Sequence, residues 1–320
     1  MKITPVNIEN TERFNNIPSG NFFSSEAWCA CFDERLKKFL ILDEKENPIG
    51  RFVAYEGGKS GFKTLITPPF APHIGLSVID TKNNPVKINT FRKQVIEAIA
   101  SFIASSKYVY FKLEFDVAWQ DMQPMIWKGI NPQVRYTYRI DLNQSTEAIT
   151  ANLDANKRNK LNKASKEEFT ISHVPDIELA IEMLRVNLRD KPVALHEPIL
   201  RKILELSAKE NWGIWSMVKV SEKIVAMNVC ILSNQVSYNL LSAIDRSSGH
   251  NHGGTFSIYQ SIMRSKEKGQ LVFDFEGSGI PEIEQYFRSF GGEITPYFSV
   301  QGGKWPWPMI LKWKQKKRPA

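Results

Sequence analysis

Short runs in which apolar and polar positions alternate recur along this 320-residue chain, separated by polar or glycine-rich turns. That period of two predicts strands. KKFLIL, NPIGRFVAYEGG and KTLITPPF form such a set in the first half, and IWSMVKV, KIVAMNVCILSN and QVSYNLLSAI in the second. Ser221-Glu222-Lys223 and Ser233-Asn234 are turns that join the second set as hairpins. After each set the period becomes helical. Ile88, Phe91, Val95, Ile99 and Phe102 make one apolar stripe over residues 88–106, and Phe256, Tyr259, Ile262 and Met263 make another over 255–268. A strand follows each helix, YVYFKLEFD and LVFDFE, and these end in acids at Asp116 and Glu276. The repeated order predicts a duplicated architecture. Between the halves, Thr146 to Lys166, Asp176 to Leu188 and Pro198 to Glu210 carry helical spacing. The boundary falls at Gly129 to Pro132, before the strand-like VRYTYRIDL, and gives domains at 1–132 and 133–320.

The stretch FDFEGSGIPEIEQYFRSFGG, residues 273–292, reads as strand, glycine turn, helix and glycine stop. Leu271, Phe273 and Phe275 share the apolar face, while Val272, Asp274 and Glu276 share the other. Pro281 suits a first helical turn, Glu282 and Glu284 complement the helix dipole, and Gly291 and Gly292 end the helix. Carboxylates thus stand where a strand's carboxyl end meets a turn, the place where open α/β sheets hold ligands.

Composition narrows the classes. A 42% hydrophobic content with 19 Phe and 8 Trp fills two cores and argues against disorder over most of the chain. The opening MKITPVNIEN has no apolar leader, and no run approaches the roughly 18 apolar residues of a membrane span, so the expectation is a cytoplasmic protein. Three cysteines, with Cys29 and Cys31 one residue apart, give neither a disulfide framework nor a CxxC pair, and reduced, buried thiols are expected. Five of the charges behind the net +8 lie in KWKQKKR at 312–318, which reads as a solvated tail or as an aid to meeting RNA or anionic lipid.

The second half also carries RSSGHNHGG at 246–254, a glycine-rich loop opening a helix, with no Asp or Glu from Arg246 to Lys266. Free backbone N–H groups and the helix dipole there suit a pyrophosphate. Hairpin strands, Gly-rich loop, helix, strand, helix and strand, in that order, resemble a GNAT acyltransferase domain. The 273–292 stretch and YRIDLNQSTEAITANLDANKRNKLNKASKEEFTI at 138–171 resemble the FemAB-like branch, which carries two GNAT-like units in tandem. The resemblance implies an α+β fold with a mixed sheet and an N-terminal GNAT-like domain recognised by architecture alone. It also implies acyl transfer to an amine, without a metal, from acyl-CoA or, less favoured, aminoacyl-tRNA. The implied acceptor is a small-molecule or cell-wall-precursor amine. Where GNAT domains favour [R/Q]xxGx[G/A], this chain has Arg246-Ser247-Ser248-Gly249-His250-Asn251. The expected carrier contacts are Arg246, Gly249, Asn251, Gly253, Gly254 and Thr255, with the site expected between the two halves and the C-terminal half binding the carrier.

For the chemistry, positioning supplies about 7–11 kcal/mol and one oxyanion donor roughly 2.7–4, against about 10²–10⁴-fold for a general base. Glu276 is the first candidate base and Asp274 the second; either also reads as a carboxylate capping its turn. Tyr238, mid-strand in YNLL, is a candidate donor to the leaving group or a core tyrosine. Lys157, Arg158, Lys160, Lys163 and Lys166 form a basic run that reads as a solvated helix face or as a contact to carrier phosphates or tRNA. His196 and Ser278 are candidate acceptor-side residues. Ser278 stands in Gly-Ser-Gly, with no Asp and His following in hydrolase order. His250 and His252 alone make no zinc site. A non-catalytic, RNA-associated binding module is the rival reading.

Overall fold

The computed structural model describes residues 1–304 apart from 19, 60, 167–168 and 190–194; the basic run at 312–318 lies outside the described residues. Two compact units are present, one formed by Met1–Arg135 with the chain from Pro296, the other by Tyr136–Thr295. The first therefore takes back a late strand that the sequence pattern assigned to the second domain.

The first unit contains β1 (Lys2–Pro5), the turns α1 (Thr11–Asn15) and α2 (Glu26–Cys29), and strands β2 (Leu36–Leu42), β3 (Pro48–Lys59), β4 (Phe62–Ile66) and β5 (Ser77–Val78). Helix α3 (Pro85–Ser105), β6 (Tyr110–Glu114) and α4 (Gln123–Trp127) follow. The stripe read from the sequence is the buried face of α3: Phe91, Val95 and Ile99 pack on Phe39, Phe52, Leu65 and Leu113. Strands β4 and β6 are parallel, as a crossover helix requires.

The second unit repeats this plan. β7 (Pro132–Asp141) leads to α5 (Thr146–Asn152), α6 (Ala155–Ala164), β8 (Thr170–Ser172), α7 (Ile177–Leu188) and α8 (Glu197–Lys209). Then come β9 (Gly213–Val220), β10 (Lys223–Ser233), β11 (Val236–Ile244), α9 (Gly253–Glu267), β12 (Val272–Asp274) and α10 (Pro281–Arg288). Within it the strand order is β7-β12-β11-β10-β9-β8, with β11 and β12 parallel and both expected hairpins present. Ser221 and Asn234 turn those hairpins at φ 51° and 54°. β13 (Glu293–Gly303), the strand expected after the last helix but given no bounds by the sequence pattern, pairs antiparallel with β6 through Ser299–Gly303.

Two expectations need correction. Thr146 to Lys166 is not one helix, because Leu153 and Asp154 are extended and the Asp154 side chain accepts the Lys157 N–H at 3.0 Å, starting α6 afresh. The buried face of α9 is also not the predicted aromatic one. Ile258 and Ile262 are buried with Gly253, Thr255, Ser257, Ser261 and Ser265, while Phe256, Tyr259 and Met263 are only partly buried. Small side chains let α9 approach the sheet: Ser257 Oγ donates to the Gly254 carbonyl and Ser265 Oγ to that of Ser261, while Ser261 Oγ donates to Ser216 Oγ of β9 at 2.8 Å. A Cβ on Gly253 would stand 3.1 Å from Ala226 Cβ on β10.

The units differ where a ligand would enter. Past β4, the first unit's own chain fills the space: Thr67 N–H bonds to the Lys112 carbonyl, and Ile74 bridges Glu114 and Val53. Helix α3 starts with Pro85, and the Asn84 side chain takes the N–H groups of Val86 and Lys87. That helix start has no donors left for an anion. Replacing the cap in Asp154→Ala is expected to cost about 1 kcal/mol of second-unit stability, read as a lowered midpoint in chemical denaturation with unchanged slope.

Candidate functional site

Parallel pairing of β11 with β12 ends at Tyr238 opposite Asp274, yet β11 runs on to Ile244. From Asn239 onward one edge of β11 has lost its neighbour. A cavity of about 400 Å³ opens there, lined by Asn239–Ile244, Arg246, Gly254, Glu276, Ile283 and Tyr286. Asn187 of α7 closes the far end, its amide donating to the Ile244 carbonyl at 3.0 Å and accepting the Ile244 N–H at 3.3 Å.

On its other edge β11 carries an irregularity. Val229 pairs with Leu241 and Cys230 with Asn239, so Leu240 has no partner in the register. This is a β-bulge, a device that re-aims backbone next to active sites. Beneath it, the Asn228 amide nitrogen lies 2.6 Å from Asn239 Oδ1, 2.8 Å from Ser242 Oγ and 3.0 Å from the Leu241 carbonyl, tying both sides of the bulge to β10.

The two acidic candidates separate by environment. Asp274 is 3% exposed and saturated: it accepts Thr137 Oγ1 at 2.6 Å and the Glu276 N–H at 2.8 Å, with Arg139 Nε 3.1 Å away. It is the clamp of the turn rather than a free base. The clamp holds Glu276 at φ 59°, and Gly277 follows at φ 71°, where a Cβ would meet the Tyr136 carbonyl at 2.1 Å. Glu276 is partly exposed as a residue, but its Oε1 is buried without a hydrogen-bond partner. Burial, reinforced by the Asp274 charge, raises its pKa well above the ordinary carboxylate value.

The anion loop is rearranged relative to expectation. Ser247 N–H bonds Asp245 Oδ1, Ser248 N–H the Asp245 carbonyl, His250 N–H Ser248 Oγ, Asn251 N–H the Gly249 carbonyl and Gly253 N–H the His250 carbonyl. Those amides are spent within the loop. Among the described residues no hydrogen bond engages the N–H groups of Gly254 or Thr255, and α9 has no side-chain cap. Donors therefore remain at Gly254, on the cavity wall, and Thr255, while Gly249 and Asn251 shape an exposed turn. Arg246 is exposed on the same wall.

Other expected residues lie elsewhere. Tyr238 is 5% exposed in the sheet and does not line the cavity. Ser278 does not line it either; its Oγ accepts the Ile280 N–H at 3.0 Å and shapes the turn. His196 is exposed at the start of α8, away from the lining. Arg158 bonds the carbonyls of Ala151 and Leu153 at the end of α5. Lys157 is buried, not on a solvated face. The sequence pattern does not single out Tyr286, Leu240 or Asn187, and nothing in YNLLS marks a bulge.

Residues 152–288 match the family model described as an acetyltransferase (GNAT) domain. No curated protein sequence matches the chain. Among solved structures, that of FemX is similar over 98% of this chain and 99% of its own, with 10% identity and a TM-score of 0.63. A conserved protein of unknown function from Bacteroides thetaiotaomicron VPI-5482 is similar over 93% and 98%, with 12% identity and a TM-score of 0.60. The C-terminal domain of a putative lysylphosphatidylglycerol synthetase from Agrobacterium fabrum covers 86% and 87%, with 12% identity and a TM-score of 0.54. The fold is thus the mixed α/β, GNAT-like one that the sequence resemblance implied.

The raised carboxyl of Glu276 has a definite effect on stability. A folded-state pKa above the unfolded one stabilises the protein fully below the unfolded value near 4.3 and is lost as pH rises through the folded value. Glu276→Gln should therefore gain thermal stability relative to wild type as pH rises from 4 toward 9, whereas Asp274→Ala, which strands Arg139, should lose about 3–5 kcal/mol. Scanning calorimetry of both variants across pH checks each sign.

Proposed function

We propose that this chain, a GNAT-superfamily protein of FemAB-like fold, is an N-acyltransferase whose second unit binds an anionic acyl carrier and passes the acyl group to an amine. The observation that carries the reading is the buried, unpartnered Oε1 of Glu276 at a cavity that also holds a β-bulge and an uncapped helix start. A base, a carbonyl-binding backbone and an anion site are the three parts that amine acylation requires.

The carrier's pyrophosphate takes the N–H groups of Gly254 and Thr255 and the Arg246 guanidinium. Its acyl carbonyl lies against the bulge, where the Leu240 amide is the donor that meets the developing oxyanion. The amine attacks the carbonyl carbon, and Glu276 receives the amine proton directly or through one water. The bond from acyl carbon to carrier then breaks, and the carrier leaves with that electron pair. A base with a raised pKa matches neutral pH better than an ordinary carboxylate and accepts the proton more strongly.

The first choice of donor is acyl-CoA. An aminoacyl donor stays in view because a similar fold bears the name lysylphosphatidylglycerol synthetase. The acceptor is read as the amine of a small molecule or cell-wall precursor. The rival binding-only reading draws on an open basic helix, and the burial of Lys157 removes one of its charges from the surface, while Arg158, partly exposed, is engaged by backbone carbonyls. No helix among the described residues is long and apolar enough to cross a membrane.

Two measurements test the reading. Calorimetry with acetyl-CoA and with aminoacyl-tRNA identifies the donor, and Gly254→Glu should abolish binding of that donor while remaining folded, because a Cβ there meets nothing closer than 3.6 Å. Unchanged affinity would remove the α9 start as the carrier site. Against the donor so found, Glu276→Gln should lower kcat/KM by about 10²–10⁴-fold. It should also erase a limb in which kcat/KM rises with pH through a value above the usual carboxylate range; an unaltered limb would exclude Glu276 as the base.

A further inference from the structure

Lys157 is a buried charge that this reaction leaves without a task. It is 4% exposed on the first turn of α6, and its Nζ has no hydrogen-bond partner. Two aromatic rings of α10 and the turn after it receive it instead: Nζ lies 3.1 Å from the centroid of Tyr286 and 4.4 Å from that of Phe290. A cation over a ring face is attracted by the ring's quadrupole, more strongly when water is excluded. The other end of the same tyrosine reaches the candidate site. Its hydroxyl is 3.4 Å from Thr255 Oγ1, and its side chain walls the cavity beside Gly254. Ammonium, aromatic ring and the first turn of α9 therefore form one continuous contact.

We propose that Lys157 is a positioning residue for the carrier site, its ammonium pinning the Tyr286 ring so that the phenol meets Thr255 at the start of α9. The inference rests on the reading of that helix start as the carrier's anion site. A methionine would fill the same space without stripping water from a charge, so simple packing does not account for a lysine here. An ion pair does not account for it either. Asp154, the acid on its own helix, is occupied in capping the Lys157 backbone N–H. Around the neighbouring pocket of about 480 Å³ stand Lys160 on α6 with Glu282 and Arg288 on α10, and Arg288 is already paired with Glu284.

Burial, with Lys160 adding to it and Asp154 opposing, lowers the Lys157 pKa to about 7. The contact therefore carries a full charge below that pH and weakens above it. Carrier affinity should accordingly be greater at pH 6 than at pH 8.5.

The experiment has a spectroscopic arm and a kinetic arm. In protein labelled with ¹³C at the tyrosine rings, the Tyr286 signal is assigned by its loss in Tyr286→Phe. It should titrate with a midpoint near 7 in wild type, lose that titration in Lys157→Met, and hold its low-pH position across the range in Lys157→Arg. With acetyl-CoA, Lys157→Met should raise KM at pH 6 by about tenfold, the scale of one desolvated cation–π contact. Lys157→Arg should restore the affinity and make it independent of pH. A Tyr286 titration that persists in Lys157→Met overturns the inference, as does a KM that this variant leaves unchanged. Should wild type take no acetyl-CoA, the donor assignment fails separately, and the Tyr286 signal alone decides the role of Lys157.

Discussion

The second unit is organised by the point at which β12 stops. A parallel neighbour that ends at Asp274 while β11 continues leaves backbone edge and cavity together, and a carboxylate clamp makes the stop sharp. Asp274 holds Thr137 and Arg139 of β7 and the backbone of Glu276 at once. Without it, Glu276 would have no reason to adopt a left-handed backbone angle, and its side chain would not be delivered to the cavity. Buried charge is costly to leave unpaired, so this clamp is an all-or-nothing element. The catalytic proposal inherits its geometry from a carboxylate engaged with β7 and the turn backbone.

Much of the architecture was legible because side-chain periodicity reports burial directly. The α3 stripe, the two hairpins and the helix-then-strand repeat follow from which positions must leave water. What escaped has physical causes. The bounds of β13 and its pairing with β6 escape because the strand lies mostly at partly exposed positions, so EITPYFSVQGG alternates weakly. The break between α5 and α6 depends on Asp154 acting as a cap in a stretch whose composition suits a continuous helix. The buried serines of α9 hide because hydroxyls that bond their own helix, or in Ser261 a serine of the sheet, can enter a core that a hydropathy scale reserves for larger apolar groups.

The candidate site was legible in part, for the same reason. Glu276, Gly254, Thr255 and Arg246 were visible as an acid at a strand end and a helix opened by glycine. Asp274 was placed on the right turn but as a base, since sequence cannot show that Thr137 and Arg139 would consume it. Loop amides cannot be sorted from sequence into free and self-bonded. The bulge at Leu240 depends on a one-residue mismatch with β10 and on Asn228 beneath it, a tertiary event without a local signal. Lys157 looked like part of a charged surface because its neighbours in sequence are, and only the packing of Tyr286 and Phe290 reveals otherwise.

The late return of the chain at Pro296 bears on biosynthesis. β6 emerges from the ribosome long before Ser299–Gly303, its antiparallel neighbour, so the nascent first half carries an open sheet edge while some 180 further residues are made. Translation pauses, truncation and premature stops in the later half therefore leave an adhesive intermediate rather than a finished smaller domain. Chaperone demand during synthesis is built into the strand order.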